Sequence, residues 1–302
     1  MNGNPLGPHL LARIFDRPLM IHPEKARAIL CALLPKLGAP TLFWNAGEGG
    51  VFHTAEAGTL RDQRLQAQSY GDRCFPFDAE TGIALIGVEG TLVHKLGSLH
   101  MYSGQTGYDG LGAQLRQTIA DPAVRGILLD VHSLGGEVAG CFDLAAEIVG
   151  MREIKPIWTI AYDDALSAAY ALASSAGVVV ATRTAEVGNI GVWTMHVDWS
   201  GALEQEGIVV TPVFAGAHKI DGWPYKPLPD DVRQRMQSRV NEFQTMFIDH
   251  VAAARGIDAA AVRGTEAAVL SAEEGRSLGL VDEIASFEDT YRQFAEQLKS
   301  AA

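Results

Sequence analysis

Three consecutive stretches decide the fold class: Pro156-Ile-Trp-Thr-Ile-Ala-Tyr162, Asp163-Asp-Ala-Leu-Ser-Ala-Ala-Tyr-Ala-Leu-Ala-Ser-Ser-Ala176 and Gly177-Val-Val-Val-Ala-Thr182. A short apolar run leads into an alanine-rich stretch, and a second apolar run follows. Runs of this length without polar alternation suit strands buried on both faces, and the alanines between them favour a helical crossover. The alternation continues on either side. Apolar runs recur at Ile83–Gly90, Gly126–Val131, Val192–Trp199 and Ile208–Phe214, with helical spacing over Tyr108–Ala120, Glu137–Arg152, Ala165–Ala176 and Ser200–Glu206. A long amphipathic helix is predicted over Pro229–Ala254, with Val232, Met236, Val240, Phe243, Phe247 and Val251 on one stripe. Asp230 and Asp231 stand at its start, where the helix dipole favours anions. The expectation is an α/β fold with a largely parallel sheet flanked by helices.

Residues 1–80 read differently. Pro23–Leu34 has helical apolar spacing, Gly38–Gly58 is rich in Gly, Ala and Thr without a period, and Leu60–Ser69 suggests a polar helix. The turn-rich Tyr70–Gly82 marks a boundary. The expected organisation is an N-terminal extension over 1–80, partly helical or flexible, a main domain over 81–285, and a C-terminal helix or tail over 286–302. With 24 Lys+Arg against 36 Asp+Glu, the net charge of −12 argues against a surface that tracks phosphates, so no nucleic-acid partner is expected. A hydrophobic content of 47% excludes wholesale disorder. No apolar run approaches the roughly 18 residues of a membrane span, and the first twenty residues lack a signal-peptide core. Cys31, Cys74 and Cys141 are few and scattered, which suits a reducing compartment and offers no metal site. These features predict a cytoplasmic protein without a membrane anchor or cofactor.

Three segments combine special backbone needs with reactive side chains. Asp130-Val-His-Ser-Leu-Gly-Gly136 is a strand end with a double glycine, a place where backbone N–H groups can face a ligand or a developing oxyanion, or simply turn the chain. Ser167 lies near the start of the alanine-rich helix, where a serine is either an N-cap or a nucleophile among small neighbours; Asp163 and Asp164 compete for the cap. Lys219 lies in Phe214-Ala-Gly-Ala-His-Lys-Ile-Asp-Gly-Trp-Pro-Tyr-Lys-Pro-Leu-Pro, ending at residue 229, and reads either as a surface lysine or as a general base. To act as a base it must be neutral, and lowering its pKa from about 10.4 to near 7 costs about 4 kcal/mol.

Together these segments resemble the signal peptide peptidase A (protease IV) family of Ser-Lys serine peptidases in the Clp/crotonase superfamily. The matching stretches are His132-Ser-Leu-Gly-Gly136, Ser167-Ala-Ala-Tyr170, Gly188-Asn-Ile-Gly-Val192 and Gly216-Ala-His-Lys219, then Leu270-Ser-Ala-Glu-Glu-Gly-Arg-Ser-Leu-Gly-Leu-Val-Asp-Glu-Ile284. The N-terminal Arg13-Ile-Phe-Asp-Arg-Pro-Leu-Met-Ile21 is similar to the phage head maturation (capsid assembly) protease branch. The resemblance implies a repeated β-β-α spiral, with Ser167 as nucleophile and Lys219 as base. It implies an oxyanion hole from Gly135, Gly136 and Ala168, and Asn189 supporting the lysine where many relatives have Ser. Leu134 replaces the usual Pro of the glycine turn. It further implies protein substrates, namely capsid scaffold and portal proteins and the chain itself, in the host cytoplasm or procapsid, and a homo-oligomer. Phage relatives often carry a C-terminal scaffold region; here only about 18 residues follow Ile284, so that region is expected to be encoded separately or removed.

Alternatives are a cytosolic signal-peptide-peptidase-like protease, a non-catalytic scaffold component on a protease fold, and a crotonase-like acyl-CoA enzyme, since fold does not fix chemistry. A Clp-type triad would want a His near position 192, which is Val. His132 reads as structural or as lining a substrate groove beside the glycine turn, His196 as structural, His218 as a neighbour that tunes Lys219, and Cys141 as core.

Overall fold

The computed structural model describes residues 18–23, 73–96 and 104–300. Apart from Pro23, the helices expected at Pro23–Leu34 and Leu60–Ser69 lie outside the described residues, as does Gly38–Gly58. The N-terminal strand β1 (Leu19–Ile21) is followed by β2 (Phe77–Asp78), β3 (Ile83–Glu89), β4 (Thr91–Val93), β5 (Gln105–Gly107) and α1 (Tyr108–Ala120). Next come β6 (Gly126–Ser133), β7 (Gly135–Glu137) and α2 (Cys141–Met151), then β8 (Ile157–Leu166), α3 (Ala168–Ala173), β9 (Val178–Ala181) and β10 (Glu186–Gly188). The short α4 (Ser200–Gln205) precedes the long α5 (Asp230–Arg255). The chain closes with α6 (Ala259–Gly264), β11 (Val269–Ser271), α7 (Ala272–Ser277), β12 (Glu283–Ile284) and α8 (Phe287–Ser300).

The large sheet runs β11-β10-β8-β6-β3-β2, with β9 and β12 branching from β8. Its centre is parallel, as expected: Ile83 lies beside Gly126 and Ile127 beside Ile157. The first half of β8 pairs with β9 and its second half with β10, so the strand splays just before Ser167. A second sheet has the order β1-β7-β4-β5. Twice in succession a long strand of the large sheet is followed by strand structure of the small sheet and then a helix: β3 to α1, and β6 to α2. That is the repeated β-β-α arrangement implied by the resemblance.

Both faces of the large sheet are covered, which is why its strands lack polar alternation. One face packs on α1, α2 and α3; every residue of α3 is fully buried, and alanine is what lets its backbone come so close. On the other face α8 lays Phe287, Phe294 and Leu298 over Leu85, Leu128, Trp158 and Ile160. The rings of Trp158 and Phe294 stack at 5.0 Å. Gly126 makes room for this, since a Cβ there would fall 2.6 Å from Phe294 Cζ.

Two expected strands are not strands. Val192–Trp199 contributes a single bridge, at Trp193, and Ile208–Phe214 is irregular and open to solvent, with Val209 89% and Val213 97% exposed. An apolar run signals that something will cover it; among the described residues Val192–Trp199 meets β1 only at Trp193, and Ile208–Phe214 pairs with no strand. The helix predicted over Pro229–Ala254 forms as α5. Its stripe is buried at Val232, Phe247 and Val251, while Met236, Val240 and Phe243 between them are only half-buried.

Truncating Phe294 to Ala leaves a cavity between α8 and the sheet. The expected loss is about 3–5 kcal/mol of stability, read as a lower midpoint in urea denaturation.

Candidate active site

Ser167 joins β8 to α3 with φ +56° and ψ −123°, a conformation that a residue with a Cβ rarely adopts. Its side chain does not cap α3, and Asp163 and Asp164 lie within β8, so the N-cap reading fails. The Ser167 N–H donates to Gly188 O at 2.8 Å, and Oγ makes a longer contact of 3.4 Å to Gly191 O. A serine held in a sparsely populated backbone state between a strand and a helix is typical of a presented nucleophile.

The glycine turn lies against this serine. A Cβ on Gly135, at φ +98°, would sit 2.2 Å from Met20 O, 3.0 Å from Ser167 Cβ and 3.1 Å from Ala168 N. A Cβ on Gly136 would sit 1.9 Å from Leu92 O, so neither position accepts a side chain. The structure therefore brings together Ser167, Ala168, Gly135 and Gly136. The Ala168 N–H opens α3, where no intrahelical acceptor exists. The Gly135 N–H donates to Ser133 Oγ at 3.1 Å, and Ser133 Oγ in turn donates to Gly90 O at 2.7 Å.

Asn189, at φ +50°, follows the glycine whose carbonyl accepts from the Ser167 N–H. Its backbone N–H donates to Ala268 O and its side-chain amide N–H to Ala267 O, both at 2.8 Å. These two bonds fix the side chain, and its amide oxygen keeps the capacity to accept.

Among the described residues no hydrogen bond joins Lys219 to the buried Ser167, whose Oγ contact is to Gly191 O. Lys219 is exposed beside a cavity of about 390 Å³ whose other walls are also from residues 212–224, including Phe214, Ile220 and Trp223. Among the described residues, the hydrogen bonds of residues 199–228 stay within that segment or reach only Asp198 and Arg235. His218 pairs with Asp221 at 3.1 Å. Cys141 is core as expected, its thiol pushed up to about 12 by burial.

Sequence reading did not single out the grouping of His132, Asp163 and Asp164, whose ligand atoms lie within 4.8 Å of one another at the ends of β6 and β8. His132 Nδ1 is 3.4 Å from Asp163 Oδ2. The pairing needs β6 and β8 side by side, which no local pattern reveals. Asp164 is held above the usual carboxylate range by partial burial and by Asp163 and Glu186, against the opposing pull of His132 and His22. The trio is mostly exposed, and donor spacing of this kind is common without an ion.

Residues 151–301 match peptidase family S49. The chain belongs to this family. The matched S49 region contains Ser167, Asn189 and Lys219, while Gly135 and Gly136 precede it. The chain is 40% identical over 300 residues to the head-tail preconnector protein GP5 of Enterobacteria phage P21, covering 97% of this chain and 58% of that protein. It is 42% identical over 283 residues to capsid assembly protease C of Escherichia phage lambda, covering 93% of this chain and 64% of that protein. It thus spans about three-fifths of the length of these relatives. Among solved structures, a mutant ClpP1 from Listeria monocytogenes aligns over 70% of this chain and 95% of that chain, with TM-score 0.43 and 13% identity. No helix among the described residues is long and apolar enough to cross a membrane.

Two outcomes follow from this geometry. Ser167→Gly removes the side chain that makes φ +56° costly, so it should be more stable than Ser167→Ala by about 1 kcal/mol in denaturant titrations. Asp164→Asn removes an acid whose folded pKa is raised. The folded state then holds its proton more tightly than the unfolded chain, so wild-type stability falls as pH rises from the unfolded carboxylate pKa through the folded one. Asp164→Asn should therefore be the more stable protein at neutral pH, and its advantage should vanish as pH falls below about 4.

Proposed function

We propose that this chain is a Ser-Lys endopeptidase of phage head maturation, acting on capsid scaffold and portal proteins and on itself. The observation that carries the reading is the buried, positive-φ Ser167 with the glycine turn packed against it. The names of the phage P21 and lambda relatives point to head assembly as the setting. Ser167 Oγ attacks the scissile carbonyl while the neutral Lys219 Nζ takes its proton and passes it to the leaving amine. Water then attacks the acyl-enzyme, its proton going by way of Lys219 back to Ser167 Oγ as the acid is released. The Ala168 and Gly136 N–H groups stabilise the oxyanion, and Gly135 joins them by leaving Ser133 Oγ. Asn189 Oδ1 accepts from the lysine.

Lys219 reaches Ser167 from a second copy of the chain. The exposed, apolar segment 199–228 that carries it, with Val209, Val213 and Phe214, is suited to cover a neighbour. The active form is accordingly a homo-oligomer, working in the host cytoplasm or procapsid, with residues 81–285 as its peptidase domain behind the extension 1–80.

Ser167→Ala and Lys219→Ala should each lower cleavage of a capsid scaffold substrate by about 10³-fold or more. Unchanged processing by either variant refutes the dyad. Equimolar mixing of the two inactive variants, with subunit exchange, should restore part of the activity, because serine and lysine then meet across copies. A wild-type protein that is fully active as a monomer in sedimentation refutes the shared site.

A further inference from the structure

The chain places one of its own segments beside the nucleophile. Strand β1 is threaded between β7, which carries the glycine turn, and Trp193, which follows the segment behind Ser167. On one side it runs antiparallel to β7, with Leu19 opposite Glu137, Met20 opposite Gly136 and Ile21 opposite Gly135. The His22 N–H extends this pairing to Leu134 O at 2.8 Å. On the other side Leu19 N–H donates to Trp193 O at 2.8 Å, Trp193 N–H returns to Leu19 O at 3.0 Å, and the indole N–H reaches Ile21 O at 2.9 Å. Backbone pairing on both edges is how a protein holds an extended peptide whatever its side chains.

The position along the groove matters as much as the pairing. Met20 O, Ser167 Cβ and Ala168 N all crowd the same point beside Gly135, so the β1 backbone passes the mouth of the site. Leu19, Met20 and Ile21 are buried, Met20 wholly so. Prolines at 18 and 23 bracket the strand, and proline cannot donate to a ladder, which confines the pairing to the groove. At the Pro18 end a cavity of about 260 Å³ continues the groove, with Val138, Phe142, Phe243 and Met246 in its walls.

We propose that the cleft between β7 and Trp193 is the peptide-binding groove, that it takes extended apolar segments, and that β1 occupies it as a built-in competitor which substrates must displace. This rests on the peptidase reading above for its consequence, namely that a resting chain is held back by its own strand, but the occupancy itself can be tested by binding alone. A substrate segment enters in the register that β1 leaves, with an apolar side chain where Met20 lies and a further apolar residue reaching the cavity beside Pro18.

The test uses the full chain with Ser167→Ala to stop turnover, and a fluorescein-labelled synthetic peptide of the sequence Asp16–Glu24. Leu19→Pro deletes the N–H bonded to Trp193 O and should loosen β1. Fluorescence anisotropy should then give a Kd at least tenfold lower for Leu19→Pro than for the parent. Equal affinity, or no binding to either, overturns the proposal. A second variant covers the case in which Leu19→Pro does not fold: Leu19→Cys with Glu137→Cys joins residues directly opposite each other, within disulfide reach. Oxidised, it should exclude the peptide; reduced, it should admit it, and equal binding in the two states overturns the proposal. Cleavage is read separately with Ser167 intact. Peptide binding as expected without any cleavage removes the peptidase reading and leaves the groove, whereas cleavage unaffected by the oxidised lock removes the built-in competitor and leaves the peptidase.

Discussion

The backbone at Ser167 is the constraint on which the rest depends. A residue with a Cβ at φ +56° is stable only if its surroundings leave it no relaxed alternative. Gly188 O holds its N–H, the fully buried α3 fixes the chain leaving it, and the splayed end of β8 fixes the chain entering it. The glycine turn then packs so closely that Gly135 has no room for a side chain. Strain at one residue is thus balanced by close packing of four separate segments, and the alanines and glycines around it are what make such packing sterically feasible.

The same dense body contrasts with the segment that carries Lys219. Residues 199–228 bond to themselves and to the start of α5, and expose large apolar side chains. A buried serine and an exposed lysine are two halves of a proton-transfer pair only if assembly brings them together. Under the proposed dyad, assembly and activation are a single event.

Much of the fold was legible in the chain. Ile83–Gly90, Gly126–Val131 and Pro156–Tyr162 became adjacent parallel strands because continuous apolar runs need cover on both faces, and α1, α2 and α8 supply it. Tyr108–Ala120 and Pro229–Ala254 formed helices close to their expected bounds, since helical periodicity over that length is hard to satisfy otherwise. The errors share one cause. Val192–Trp199 and Ile208–Phe214 have the composition of strands, but composition records the demand for cover and not its source. Among the described residues only the Leu19–Trp193 bridge provides any strand pairing to either run.

For the site, sequence alone determined which residue types were present and in what order: the double glycine, Ser167 at a strand-to-helix junction, Asn189 among glycines, and Lys219 in its proline-flanked loop. These are local properties, set by the backbone freedom of glycine and the reactivity of single side chains. Only the tertiary structure decided that Ser167 takes a positive φ and does not cap its helix, that Lys219 is exposed, and that His132 meets Asp163 and Asp164. It also placed Leu19–Ile21 against the glycine turn beside Ser167. Each of these depends on contacts between segments far apart in the chain, whose free energies arise from packing and pairing across the fold and leave no periodic trace in the residues that make them.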